Sequence, residues 1–219
     1  MPISMPPGFR LILADINAGS NTPSLVRSVL RWKSTDTDSL QLWQQIDLKN
    51  KYIYELWEEL CGLSTANKSA YNKAIQTASK HPLDSTLSDV NNSDDPDWKH
   101  TKEILIKLML LNQTSNHIRK LMKLMGDKAD ASIEPDCQTA LLDECMECPG
   151  VLMAGVPGAG GFDAIYCVCV SNLAAETLVL KLKSLQNKNV TVLPCKQTNS
   201  GCTIHNAELL PELTGHFSE

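Results

Sequence analysis

Four glycines, Gly155, Gly158, Gly160 and Gly161, fall within seven residues of one another, in the stretch AGVPGAGGFDA from Ala154 to Ala164. The run GVLMAGV leads into this bend and AIYCVCV leaves it, and both are apolar and branched enough to read as buried strands. Any fold containing the stretch must therefore join two strands through a bend nearly free of side chains. Glycine reaches positive φ without a Cβ penalty and lets the backbone come close to another group. Such a bend has two uses: a tight hairpin without a ligand, or a cradle whose bare N–H groups meet a phosphate.

Two familiar phosphate loops are excluded on chemistry. A Walker-type loop needs Lys and then Ser or Thr after its last glycine, whereas Gly161 is followed by Phe162 and Asp163. A dinucleotide fingerprint opens a helix, so that the helix N-terminus faces the pyrophosphate; counted from Gly158, its third glycine position holds Asp163, and a strand follows.

The rest of the chain reads as helices and strands around this hairpin. Leu11 to Ile16 is a strand and Asn17 to Asn21 a small-residue turn. Thr22 with Pro23 marks a helix start, with Thr22 as the N-cap. Leu40, Trp43, Ile46, Leu48, Ile53, Leu56, Trp57 and Leu60 recur at three- and four-residue steps and predict one or two core helices. The polar segment HPLDSTLSDVNNSDDPDW, at about 81–99, reads as a connection. Ile104, Leu108, Leu111, Ile118, Met122 and Met125 then form one stripe of a long helix that Gly126 ends. Pro135 to Met146 and Ala174 to Leu185 are further helices, and Val190 to Pro194 is the last strand. The order predicts an α+β fold of the ferredoxin-like kind, βαββαβ, a four-stranded antiparallel sheet with a helical insertion in the first crossover.

Composition narrows the functional classes. Of 219 residues, 42% are apolar and 21% charged, the ordinary globular range for one domain over 1–219. The net charge of −5 gives no basic character to hold nucleic acid or an anionic membrane. No window approaches the roughly 20 apolar residues that cross a bilayer, and MPISMPPGFR lacks the pattern of a secretory signal, so the cytosol is the expected compartment. Cys145 and Cys148 form a C-x-x-C without a second pair. Cys167 and Cys169 alternate along a strand toward one face. Cys61, Cys137, Cys195 and Cys202 are scattered, and His81, His100, His117, His205 and His216 do not complete a tetrahedral set. Reduced structural thiols and no metal site are the expectation.

Three blocks carry a family resemblance. GVLMAGVPGAGGFDAIYCV (Gly150 to Val168) with IEPDCQTALLDECM (Ile133 to Met146) resembles the C-terminal half of the plant- and fungal-type phosphomevalonate kinases, which belong to the GHMP small-molecule kinases. LILADINAGSNTPSLVRSVLRWK (Leu11 to Lys33) resembles that family's strand, its small-residue turn of the G-S-S-T-P-S kind and its helix. IRKLMKLMG (Ile118 to Gly126) is a third, weaker block. The family's principal ATP-phosphate loop, P-x-x-x-G-L-G-S-S, has no counterpart here. The chain thus resembles a GHMP kinase C-terminal domain without the N-terminal ATP-loop domain, to which the catalytic residues would belong.

The resemblance implies phosphoryl transfer from MgATP to 5-phosphomevalonate, giving ADP and 5-diphosphomevalonate, a step of isoprenoid and sterol biosynthesis. ATP and Mg2+ are then the cofactors. Gly155, Gly158, Ala159, Gly160 and Gly161 would form a phosphate loop, and Ser20, Asn21 and Thr22 would line the same cleft, with Asn21 standing where the family usually has Ser. Asp163 either meets magnesium or a substrate hydroxyl, or caps the turn. Glu134 and Asp136 are read as charges on a helix first turn, Gln138 and Thr139 as within reach of substrate. Arg119 and Lys123 are either phosphate ligands or a solvated face. The rival from another class is a non-catalytic module that binds a small molecule or a partner chain.

Overall fold

The computed structural model describes residues 4–16, 19–83, 98–185 and 190–195. Strand β1 (Arg10–Asp15) leads into helices α1 (Thr22–Thr35), α2 (Ser39–Ala66), α3 (Lys68–Ala78), α4 (Trp98–Ala129) and α5 (Asp136–Met146). Strands β2 (Val151–Gly155) and β3 (Ala164–Cys169), helix α6 (Asn172–Ser184) and the short β4 (Thr191–Val192) follow. The sheet order is β2-β3-β1-β4, with every neighbouring pair antiparallel. β3 lies between β1 and β2, and β1 between β3 and β4, so two split βαβ units interleave, as the ferredoxin-like reading predicts. Helices α1 to α5 fill the first crossover. Most of the polar connection, residues 84–97, lies outside the described residues, as do Cys202, His205 and His216.

Register does the positioning. β1 pairs with β3 from Arg10 opposite Cys169 to Asp15 opposite Ala164. The end of β1 is thereby fixed beside the start of β3, and the β1–α1 turn beside the glycine bend. The main core is built from Leu152 and Ile165 of the sheet, Leu178 and Leu182 of α6, Leu142 of α5 and Leu108 and Leu111 of α4, all fully buried. Each such side chain contributes about 1.5–3 kcal/mol of transfer free energy. A second cluster joins Trp32 of α1, Leu42 of α2, Leu121, Met125 and Ala129 of α4, and Ala131 and Ile133 after α4.

Several local expectations are corrected. The region 39–66 is one helix of 28 residues, and at 3.6 residues per turn Leu42, Leu56 and Leu60 share its inner face while Leu40 and Leu48 point outward, 63% and 64% exposed. Helix α3 buries Ala70, Ala74 and Ala78, four apart, together with Tyr71 and the half-buried Ile75 against the main core. Gly126 does not end α4, which runs one turn further to Ala129. Its carbonyl accepts the Ala131 N–H at 2.9 Å, and a Cβ there would stand 2.5 Å from the Ala131 oxygen, so the missing side chain lets the chain fold back. Asp130, at φ 51°, makes the reversal. The N-cap of α1 is Asn21, whose Oδ1 accepts the Ser24 N–H at 3.1 Å; Thr22 is the first helical residue.

All the cysteines among the described residues are free, and Cys145, Cys148, Cys167 and Cys169 are buried while Cys137 and Cys195 are exposed. Burial, with Cys148 and Cys145 nearby, pushes the Cys169 thiol up to about 12. In native protein at neutral pH an aromatic disulfide reagent should therefore modify Cys137 and Cys195 and spare these four, which react only on denaturation. Fast modification of Cys169 in the folded state, read by peptide mass mapping, would contradict the packing described.

Candidate functional site

The glycine bend is two structures in one. At Gly160, φ 80°, a Cβ would collide with the Ile133 carbonyl, and at Gly161, φ 99°, with the Ser20 hydroxyl. Their amides are spent inside the protein: Gly160 N–H donates to Pro157 O at 3.2 Å, and Gly161 N–H to Ile133 O at 2.7 Å. Phe162 N–H donates to Ser20 Oγ at 2.6 Å. Gly158 is different. It is exposed at φ 64°, and an added Cβ there meets nothing within 4 Å. Neither its amide nor that of Ala159 has a hydrogen bond among the described residues. Gly155 belongs to β2 itself, where its missing side chain leaves room for the Tyr166 ring, 2.8 Å from the position of a Cβ. Of five loop residues expected to meet phosphate, Gly158 and Ala159 are left with amides to offer. Gly160 and Gly161 shape the bend, and Gly155 packs.

The β1–α1 turn does come to the same place. Ile16 N–H donates to Asp163 O at 2.8 Å, and Ser20 holds Phe162 as above, so both turns form one surface. The helix end carries no spare amide: Thr22 N–H goes to Ser20 O, Ser24 N–H to Asn21, and Leu25 N–H to Asn21 O. Asn21 therefore acts as the cap, and Ser20 as the tie between the two turns. Thr22 is exposed and Asp163 half-buried, and no hydrogen bond engages either side chain among the described residues. The carboxylate of Asp163 thus does not cap the turn; its carbonyl does the pairing.

Arg119 and Lys123 form a separate polar seam between α4 and α5. The Arg119 guanidinium meets the buried Glu134 carboxylate as a fork, Nη2 to Oε1 at 2.7 Å and Nε to Oε2 at 3.2 Å, and its Nη1 reaches Asp143 Oδ1 at 3.1 Å. Burial opposes the arginine charge, but the bonds and charges of Glu134 and Asp143 outweigh it and hold the group protonated above its usual value. Lys123 Nζ donates to Glu134 O, Asp136 Oδ1 and Thr139 Oγ1 at 2.7–3.0 Å. Its hydrogen bond and charge pull the exposed Asp136 below the usual carboxylate range. Glu134 is thus an internal ion-pair partner, not a solvated helix charge, and neither basic residue is free for phosphate. Gln138, also buried, donates to Gly161 O at 3.3 Å instead of facing outward. The seam borders a cleft of about 440 Å3 whose lining includes Arg119, Lys120, Lys123 and Asp143 but no residue of the glycine bend.

None of these long-range links could be read from spacing. Residue 119 lies on α4 and residue 134 in the turn before α5, and residues 20 and 162 are joined only by sheet register. No group of three or more His, Cys, Asp or Glu among the described residues could hold a metal ion.

Residues 106–188, which span the polar seam, the glycine bend and α6, match the family described as GHMP kinases C terminal. That stretch of the chain is similar to the C-terminal domain of the GHMP kinases. It is 34% identical over 208 residues to the peroxisomal phosphomevalonate kinase of Arabidopsis thaliana, covering 94% of this chain and 39% of that protein. To a phosphomevalonate kinase of Candida albicans it is 30% identical over 84% of this chain and 35% of the relative. To one of Aspergillus fumigatus it is 32% identical over 78% of this chain and 28% of the relative. The chain therefore spans well under half the length of these relatives. The fold is shared with a solved structure, the Lin0012 protein of Listeria innocua, at TM-score 0.52 and 18% identity over 88% of this chain and 40% of that one. No helix among the described residues is long and apolar enough to cross a membrane.

The division of the GHMP bend into shaping and open glycines is testable by stability. Gly158→Ala carries only the left-handed backbone strain of an L residue, about 1–2 kcal/mol. Gly160→Ala adds a collision with the Ile133 carbonyl and should lower the urea midpoint further. Equal midpoints for the two variants would refute the close approach at Gly160.

Proposed function

We propose that this chain is the C-terminal part of a phosphotransferase of the phosphomevalonate kinase type. Its reaction moves the terminal phosphoryl group of ATP onto the phosphate of 5-phosphomevalonate: the bond from that phosphorus to the ADP oxygen breaks, and a new phosphorus–oxygen bond forms the diphosphate. Catalysis of such a transfer rests on positioning and charge neutralisation. The observation that carries the reading is the pair of unspent amides at Gly158 and Ala159, held beside the turn of Ser20 to Thr22. These N–H groups would donate to phosphate oxygens, with the Thr22 hydroxyl on the same surface. Asp163 would lie at its edge, toward a substrate hydroxyl.

The described residues fit a phosphate better than a metal. They offer amide donors, and the one carboxylate beside the bend is Asp163, which with substrate phosphates could hold Mg2+; no step is assigned to the ion. ATP's remaining contacts and the catalytic residues would come from an N-terminal ATP-loop domain of the kind that the family resemblance implies. The exposed Val26 and Leu30 on α1, with Arg27 and Arg31 around the same shallow hollow, support packing of such a domain there. The free thiols support a reducing compartment, the cytosol in our reading.

The test is an NMR titration of the 15N-labelled chain with ATP and with 5-phosphomevalonate, alongside a coupled assay for ADP. We expect the Gly158 and Ala159 amides to shift on addition of one or both ligands, and the Gly161 amide to stay hydrogen-bonded. If saturating amounts of both leave these two resonances in place and no ADP is released, the phosphate reading fails.

A further inference from the structure

We propose that Arg119 is a positioning residue for the glycine bend, acting through Glu134 and the α4–α5 turn. This rests on the phosphate reading above for its purpose, but its structural logic is independent. The bend is held from below by the Ile133 carbonyl, which accepts the Gly161 N–H, and by Gln138, which donates to the Gly161 carbonyl. One residue is thus clamped at both its polar groups by a single stretch, residues 133–138. The close approach of Gly160 to that same carbonyl leaves the contact little play.

Charge adds to the apolar burial of Ile133 in fixing residues 133–138. Ile133 is followed directly by Glu134, whose carboxylate is gripped by the Arg119 fork and whose carbonyl is gripped by Lys123. Arg119 reaches on to Asp143, one helical turn past Thr139, and Lys123 to Asp136 and Thr139, so the two cations stitch α5 to α4. The turn reverses at Asp130 in the left-handed region, closes on Ala131 and Ile133 through short backbone bonds and seats those two side chains in the second apolar cluster; the fork adds the restraint at Glu134, between that cluster and α5. The Glu134 side chain is 3% exposed and that of Arg119 11%, so the fork is shielded from water and its geometry is well determined. A planar, bidentate guanidinium sets both the distance and the angle of its partner, which a lysine cannot do.

The order of contacts is therefore Arg119, Glu134, Ile133, Gly161, and then the open amides of Gly158 and Ala159. Loss of the fork should let the 133–138 stretch breathe and free Gly161 before the sheet loosens. The experiment is amide hydrogen exchange by NMR on the 219-residue chain, comparing wild type, Arg119→Met and Arg119→Lys. In Arg119→Met we expect Gly161 to exchange about tenfold faster relative to the β3 amides of Cys167 and Cys169, by local opening. Arg119→Lys, which keeps the charge and loses the fork, should show most of this increase. Glu134→Gln is the second variant if Arg119→Met does not fold, and it should again raise Gly161 exchange selectively.

A merely structural role gives a different pattern. If Gly161 accelerates only in step with Cys167 and Cys169, or not at all, or if Arg119→Lys restores wild-type protection, the proposed role of the fork is overturned. The phosphate reading is scored separately, by titration of wild type with inorganic pyrophosphate. No shift at Gly158 and Ala159 there would sink that reading while leaving the exchange result to decide the brace.

Discussion

The antiparallel pairing of β1 with β3 is the constraint on which the rest depends. Its partners are some 150 residues apart in the chain, and its last rung sets Asp15 opposite Ala164. A slip of one residue would turn every side chain of β1 to the other face. It would also separate Ile16 from Asp163 and Ser20 from Phe162, the two bonds that merge the β1–α1 turn with the glycine bend. The site is thus a consequence of sheet register, and the apolar core beneath it, Leu152, Ile165, Leu178 and Leu182, is what makes that register the stable one.

The bend illustrates how a glycine-rich string conceals a division of labour. From the letters alone all the glycines are equivalent. In the fold, Gly155 yields to the Tyr166 ring, Gly160 and Gly161 yield to Ile133 and Ser20, and only Gly158 with Ala159 turns a bare backbone outward. Three of the four glycines are small because another part of the protein occupies the space a side chain would fill.

Much of the architecture was legible in the sequence because it is written in short-range periods. The strands flanking the bend, the stripe of α4, the helix before β2 and the βαββαβ order all follow from apolar spacing and turn residues. Boundaries moved where a local polar bond competed: Asn21 caps α1 because its side chain reaches Ser24, and α4 outlasts Gly126 because that glycine serves a reversal. Helix α3 was missed because alanines four apart carry little hydrophobic signal, although their spacing was there to see. The polar seam was beyond reach for a different reason. Arg119 and Glu134 are ordinary surface residues by type, and only the seating of α4 and α5 beside one another on β2 encloses them, with Asp143 at the exposed rim. The family resemblance names segments, yet which of their atoms remain available to a ligand is decided by contacts that no motif records.

The buried Asn112 of α4 bears on a separate matter. Its Nδ2 donates to the Leu152 carbonyl of β2 at 3.2 Å, and β2 is an outer strand of the sheet. An uncovered outer strand is a template onto which a second molecule can add its own strand. Here α4 packs against β2 and an amide side chain occupies one of its carbonyls, which removes that acceptor from any strand that would add there.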